Sequence, residues 1–147
     1  MNFKNFFLIL VSVLLLSCDD DYPYAEVPSV ILNEFWAQYA DAKDAEFNPS
    51  GQDYEVDFNL NGKDHSAVIH ASGNILKEKK EIEWNELPPA VQQTLEKEYG
   101  QKKIEDPEWV KIAEEILYQV EINRFFIDKK IVLNAAGEIE ANRTYWK

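Results

Sequence analysis

The sequence predicts an α+β fold, a tandem repeat of one helix plus an antiparallel β-meander, with the copies forming one curved antiparallel sheet and two helices packed on one face. Three observations predict it. The chain matches itself: Val27-Pro28-Ser29-Val30-Ile31 lies over Leu87-Pro88-Pro89-Ala90-Val91 at a shift of 60, and Tyr54–Gly73 lies over Tyr118–Gly137 at a shift of 64 without a gap. After each proline, apolar residues recur at helical spacing, and within the second matched pair they alternate at strand spacing. A unit of one helix and a few strands hides its apolar face poorly, so two units joined edge to edge, helices on the same side, form the expected layer pair. The other sheet face is then left open to solvent.

The first eighteen residues read MNFKNFFLILVSVLLLSC, a lysine near the start and then an apolar run. That run is shorter than the roughly 20 residues a spanning helix needs, and it reads as a signal peptide over residues 1–17. Leu15-Leu16-Ser17-Cys18 resembles the bacterial lipobox, which implies a diacylated Cys18 as the new N-terminus. The other reading, an ordinary thiol near a cleavage site, leaves a lone cysteine unpaired in an exported chain. Acyl chains contribute about 0.8 kcal/mol per buried methylene, and two give stable anchoring. The expectation is therefore a membrane partner reached through a lipid on Cys18, an acidic tether over residues 18–26, and an envelope location: outer membrane, facing the periplasm or the cell surface.

The body, residues 27–147, reads as two repeats, 27–84 and 87–147. Each opens with proline where a helix start needs no backbone N–H. Ile31, Phe35 and Tyr39, and then Val91, Leu95 and Tyr99, form one apolar stripe per helix. Tyr54, Val56, Phe58 and Leu60 alternate with polar residues, as do Tyr118, Val120 and Ile122. The next strands hold Ala67–Ala71 and Ile131–Ala135, and Gly73 and Gly137 turn the chain into final strands, Asn74 to Ile82 and Glu138 to Trp146. The connector 100–117 reads as strand, with Asp106-Pro107-Glu108-Trp109 as an alternative short helix start.

The repeats differ at their hairpin tips. Asn61-Gly62 suits a tight turn whose centre needs positive φ, whereas the equivalent Phe125-Phe126 does not, so the second hairpin requires a wider loop or a turn shifted toward Asp128-Lys129. These two rings either fold back over a sheet edge or meet another protein, aromatic residues being favoured interface anchors. Among the tryptophans, Trp36 is expected in the core beside Phe35, Trp84 and Trp146 at the ends of final strands, and Trp109 in the connector as the most exposed.

At this point the chain resembles the PepSY-like, β-lactamase-inhibitor-like proteins, small exported or lipid-anchored proteins of Bacteroidetes-type bacteria. The residues that carry the resemblance are Val27-Pro28, Leu87-Pro88, the strands YEVDFNL and YQVEIN, and the endings Ile69-His70-Ala71-Ser72-Gly73 and Leu133-Asn134-Ala135-Ala136-Gly137. It implies a tandem repeat with a curved sheet and a role in binding or inhibiting a partner protein.

Composition narrows the function classes. Removing residues 1–17 leaves 14 basic against 27 acidic residues, a net charge of −13, which repels nucleic acid phosphates. The body contains no cysteine nucleophile, no nucleophile elbow and no glycine-rich phosphate loop. His65 and His70 stand five apart on one strand and face opposite ways, so they cannot share a metal ion. Catalytic residues, metal and cofactor are all expected to be absent. Asp53, Glu55 and Asp57 share one strand face, and Glu121 takes the place of Asp57 in the second copy; they form a solvated face, a partner contact, a cation site or, last because no sequence feature supplies a cleft to raise one pKa, an acid/base pair. The preferred expectation is a lipid-anchored, non-enzymatic envelope protein that binds a protein or peptide partner. Glu55, Asp57, His70 and Glu121 would form the contact face, with Trp109, Phe125 and Phe126 as anchors. The alternatives are a self-associating accessory lipoprotein and a cation-binding protein.

Overall fold

The computed structural model describes residues 24–147, so the signal, Cys18 and most of the tether lie outside the described residues. The described chain holds helices α1 (Ser29–Gln38) and α2 (Pro89–Tyr99) and strands β1 (Lys43–Ser50), β2 (Asp53–Leu60), β3 (Lys63–His70), β4 (Ile75–Glu81), β5 (Ile104–Ile112), β6 (Glu115–Ile122) and β7 (Lys129–Asn134). These strands form one seven-stranded sheet in the order β1-β2-β3-β4-β5-β6-β7, every neighbouring pair antiparallel. The β4–β5 pairing fuses the repeats, and Lys77 to Glu81 run against Glu108 to Ile112.

Each helix covers its own repeat. Ile31 and Phe35 of α1 are fully buried against Phe47, Val56, Phe58, Ala67 and Ile69, and four aromatic rings surround Phe35 at centroid distances of 4.9–5.4 Å. Val91 and Leu95 of α2 are buried equally against Val120, Ile122, Ile131 and Leu133. Burying one such side chain contributes about 1.5–3 kcal/mol, so the helix stripes and the helix-side strand residues account for the layer arrangement.

The duplication extends past the residues that announced it. Tyr24–Glu26 forms a 3-10 turn before α1, as Trp84–Glu86 does before α2, and Tyr24 packs edge-on against Phe47 at 5.6 Å. The last three residues of the expected tether thus belong to the folded body. Both β1 and β5 carry a bulge early in the strand, with Asp44 (φ 52°) and Asp106 (φ 46°) at positive φ. Aspartate tolerates this conformation better than most residues, and an added residue lets the strand twist. The connector is therefore a strand, as preferred, and Asp106-Pro107 marks its bulge instead of a helix start.

Three expectations fail, two at the tryptophans and one at the C-terminus. Trp36 lies at the rim of α1, 36% exposed, its Nε1 donating to the Tyr24 hydroxyl at 2.7 Å, while Trp109 is half-buried on the helix side against the second core. The expected final strand Glu138 to Trp146 does not form. After one bridge, Leu133 to Ile139, the chain leaves the sheet edge. It then crosses the face opposite the helices.

Candidate binding surface

The face expected to be open is covered in part by the chain itself. Val110, Leu117 and Val132 project from it and are buried beneath Tyr145 and Trp146. Gln119, 1% exposed, fixes the crossing: its Nε2 donates to the Trp146 carbonyl at 2.6 Å and its Oε1 accepts the Trp146 N–H at 3.1 Å. The same amide also donates to Glu108, which pairs with Lys79 at 3.2 Å. A buried amide with its donors and acceptor all used is stabilising where an unpaired one would cost about 1–3 kcal/mol. The indole of Trp146 donates to Glu55 Oε1 at 2.6 Å, and Lys77 Nζ sits 3.9 Å from the ring centroid. Burial chiefly holds the Lys77 ammonium below its usual pKa, and burial followed by the Glu108 and Glu121 charges raises that of Tyr145.

This arrangement separates the predicted contact residues. Glu55 lies under Trp146 as an acceptor, which corrects its expected place on an open face. Glu121 is held by Lys130 at 2.5 Å, within reach of Tyr145. Asp57 remains exposed on the uncovered part of the same face and accepts the Ser66 hydroxyl at 2.5 Å. His70 is half-buried on the same face but opposite Asp53, four positions along β3 from Ser66, its Nδ1 2.8 Å from Ser72 Oγ. His65 is on the other face, stacked on Phe58 at 5.3 Å, as the strand alternation requires. Trp109 faces the helix side, so it cannot act with the far-face carboxylates.

The tip is a different kind of surface. Strands β6 and β7 end at the pair Ile122–Lys129, leaving residues 123–128 as a wide loop. Phe125, Phe126 and Ile127 are 93%, 89% and 81% exposed, and the two rings meet edge-on at 4.7 Å. They do not fold back over the sheet. Asp128 Oδ1 closes the loop by accepting the Arg124 N–H at 3.0 Å. The first tip, by contrast, is the tight turn predicted, with Asn61 at φ 57° and Gly62 at φ 80°.

Among the described residues, no group of three or more His, Cys, Asp or Glu is placed to hold a metal ion, and no helix is long and apolar enough to cross a membrane. Far-face clefts of about 580 and 520 Å³ flank the crossing segment. Sequence reasoning found the tip and the carboxylates but missed Ile127, Gln119 and the covering role of Tyr145 and Trp146. Gln119 occupies an ordinary outward position in the strand alternation, and only the path of the tail makes it a buried anchor.

A single antiparallel sheet bearing one helix per repeat on one side defines the class of fold, and solved structures share it. A BLIP-like protein from Bacteroides fragilis superposes with a TM-score of 0.69 at 20% identity, covering 87% of this chain and 98% of that one. A proposed periplasmic protein from Bacteroides eggerthii gives 0.72 at 17% identity, and a DUF2874 family protein from Bacteroides uniformis gives 0.70 at 20%, each over 78% of this chain and 86% of the other. No protein-family model matches the sequence, and no curated protein does.

Proposed function

We propose that this chain is a lipid-anchored, non-enzymatic protein of the cell envelope that binds a protein or peptide partner through the 123–128 tip and the adjoining sheet. The observation that carries the reading is the exposure of three consecutive large apolar side chains, Phe125 to Ile127, at the end of an ordered hairpin. Burying a phenylalanine is worth about 1.5–3 kcal/mol, and the fold leaves that stabilisation unused at the tip. The far face contributes its uncovered part, Asp57 and His70, while Glu55 and Glu121 support the tail and the tip strands from within.

Similarity of fold to a BLIP-like protein and to a proposed periplasmic protein supports the envelope location and makes inhibition of a partner the sharpest form of the reading. Fold alone does not carry function, so the tip must be tested directly. The full chain and its Phe125→Ser, Phe126→Ser variant serve as baits for envelope extract. Loss of one discrete partner from the variant supports the reading, and equal recovery of every partner removes the tip from it. Anchoring is tested by labelled fatty acid, which should be incorporated by the wild type and not by Cys18→Ala.

A further inference from the structure

The second repeat starts its last segment as the first does and then abandons it. After β3, the His70 N–H donates to the Asn74 carbonyl at 2.9 Å and the Gly73 N–H to the His70 carbonyl at 2.7 Å. After β7, the Asn134 N–H donates to the Glu138 carbonyl and the Gly137 N–H to the Asn134 carbonyl, both at 3.0 Å, and the Leu133–Ile139 bridge takes the place of Ile69–Ile75. From that point β4 continues along β3 as far as the pair His65–Lys80. The tail makes one more edge bond, Glu140 N–H to the Val132 carbonyl at 2.8 Å, and then turns onto the far face.

Strand β7 is therefore an end of the sheet, and no described strand flanks the outer side of Lys129–Val132. Because the Val132 carbonyl points outward to Glu140 and direction repeats every second residue, the Val132 N–H and both backbone groups of Lys130 point outward too. The opposite end strand is blunted. Pro49 has no N–H to offer, and the Asp44 bulge interrupts the edge.

The first repeat shows what chemistry fits such an edge. There Glu78 of β4 lies opposite Ala67 on the helix side and accepts the Tyr39 hydroxyl at 2.8 Å. The second repeat keeps the tyrosine as Tyr99, whose oxygen accepts Lys129 Nζ at 3.1 Å, leaving its O–H to donate. Arg124 and Lys129 add positive charge here, Lys130 being paired with Glu121 on the far face, on a chain whose net charge is −12.

We propose that the outer edge of β7, Lys129–Val132, docks an extended segment of the partner protein as an eighth, antiparallel strand, with a carboxylate side chain opposite Ile131 and against Tyr99 and Lys129. The proposal rests on the reading of the chain as a partner-binding module and adds a backbone-pairing site beside the apolar tip.

The test uses amide hydrogen exchange on the full chain with a synthetic peptide of Lys77 to Ile82, the part of the first repeat's segment whose place the tail leaves empty. Exchange at Lys130 and Val132 should slow by about tenfold or more when peptide is in excess. A peptide carrying Glu78→Lys should lose the effect. So should the protein variant Lys130→Pro, read at Val132, which removes an outward N–H and leaves the β6 pairing intact, as its unchanged circular dichroism would show. Unchanged exchange at both amides, or equal protection in Lys130→Pro, overturns the edge site. The tip reading would survive that result if the Phe125→Ser, Phe126→Ser bait still lost its partner. Protection that appears without peptide and grows with protein concentration would assign the edge to a second copy of this chain and also overturn the proposal.

Discussion

The first repeat finishes its meander and the second does not, and that difference sets which strand edge and which apolar side chains the fold leaves exposed. In the first, β4 pairs on both sides, with β3 and with β5, so both of its own edges are used. In the second, the equivalent segment pairs once and crosses the sheet, covering an apolar patch but leaving β7 as an end strand. The hairpin tips diverge the same way, a tight Asn61-Gly62 turn against a loop that exposes Phe125 to Ile127. One copy conserves the pattern that folds. The other spends its departures on surface, and substitutions at equivalent positions should separate the two.

The largest contrast is expected at the turn glycines. An added Cβ at Gly137 (φ 80°) would collide with the Ala90 carbonyl and lie 2.9 Å from Thr94 Oγ1, whereas at Gly73 (φ 92°) it would meet the Val30 side chain at 3.2 Å and the Val30 carbonyl oxygen at an ordinary 3.9 Å. Overpacking against helix backbone adds to the cost of a side chain at positive φ, so Gly137→Ala should destabilise by about 3 kcal/mol or more and Gly73→Ala by about 1–2 kcal/mol. Urea denaturation of the two variants checks the order.

The tail comes next. Trp146→Ala should cost about 2–3 kcal/mol, since it uncovers Leu117 and Val132 and removes the donor to Glu55. Thermal unfolding of the variant measures it, and a loss below about 0.5 kcal/mol would show that the crossing segment is not part of the fold. A smaller and opposite effect is expected at the β5–β6 turn. There Ala113 adopts φ 53° where the first repeat has Gly51 at φ 67°, so Ala113→Gly should stabilise by about 1 kcal/mol and Gly51→Ala should destabilise.

The smallest effect is the pH dependence of the first repeat. Burial against Phe58, then the Lys80 charge, lowers the His65 pKa below its usual 6.5. The unfolded chain therefore binds the proton first as pH falls. Stability from this group is complete above about pH 6.5 and declines as pH drops through the folded value. His65→Gln should flatten the stability curve over that window, and an unchanged slope would assign it to other groups.

Much of this was legible in the sequence because the physics is local. The Ile31-Phe35-Tyr39 and Val91-Leu95-Tyr99 spacings set the helices, the alternation after Tyr54 and Tyr118 set the strands, and Asn61-Gly62 set one turn. What was missed depends on where the chain goes after a local signal ends. Glu138 to Trp146 reads as a strand because its equivalent is one, yet Tyr145 and Trp146 find more apolar contact over Val110, Leu117 and Val132 than an edge position would give. Trp109 reads as exposed because its connector is irregular, and the Asp106 bulge turns it toward the helices. Of the candidate surface, the tip was visible as two phenylalanines out of place, whereas the free β7 edge follows only from the tail's departure.

The central claim, that the second repeat and not the first presents the recognition surface, is tested most directly by a photo-crosslinking residue placed in the cell at Phe125 or at its equivalent, Asn61. The account predicts one discrete protein adduct from position 125 and none from 61. Adducts of the same size and yield from both positions, or none from 125, would contradict it.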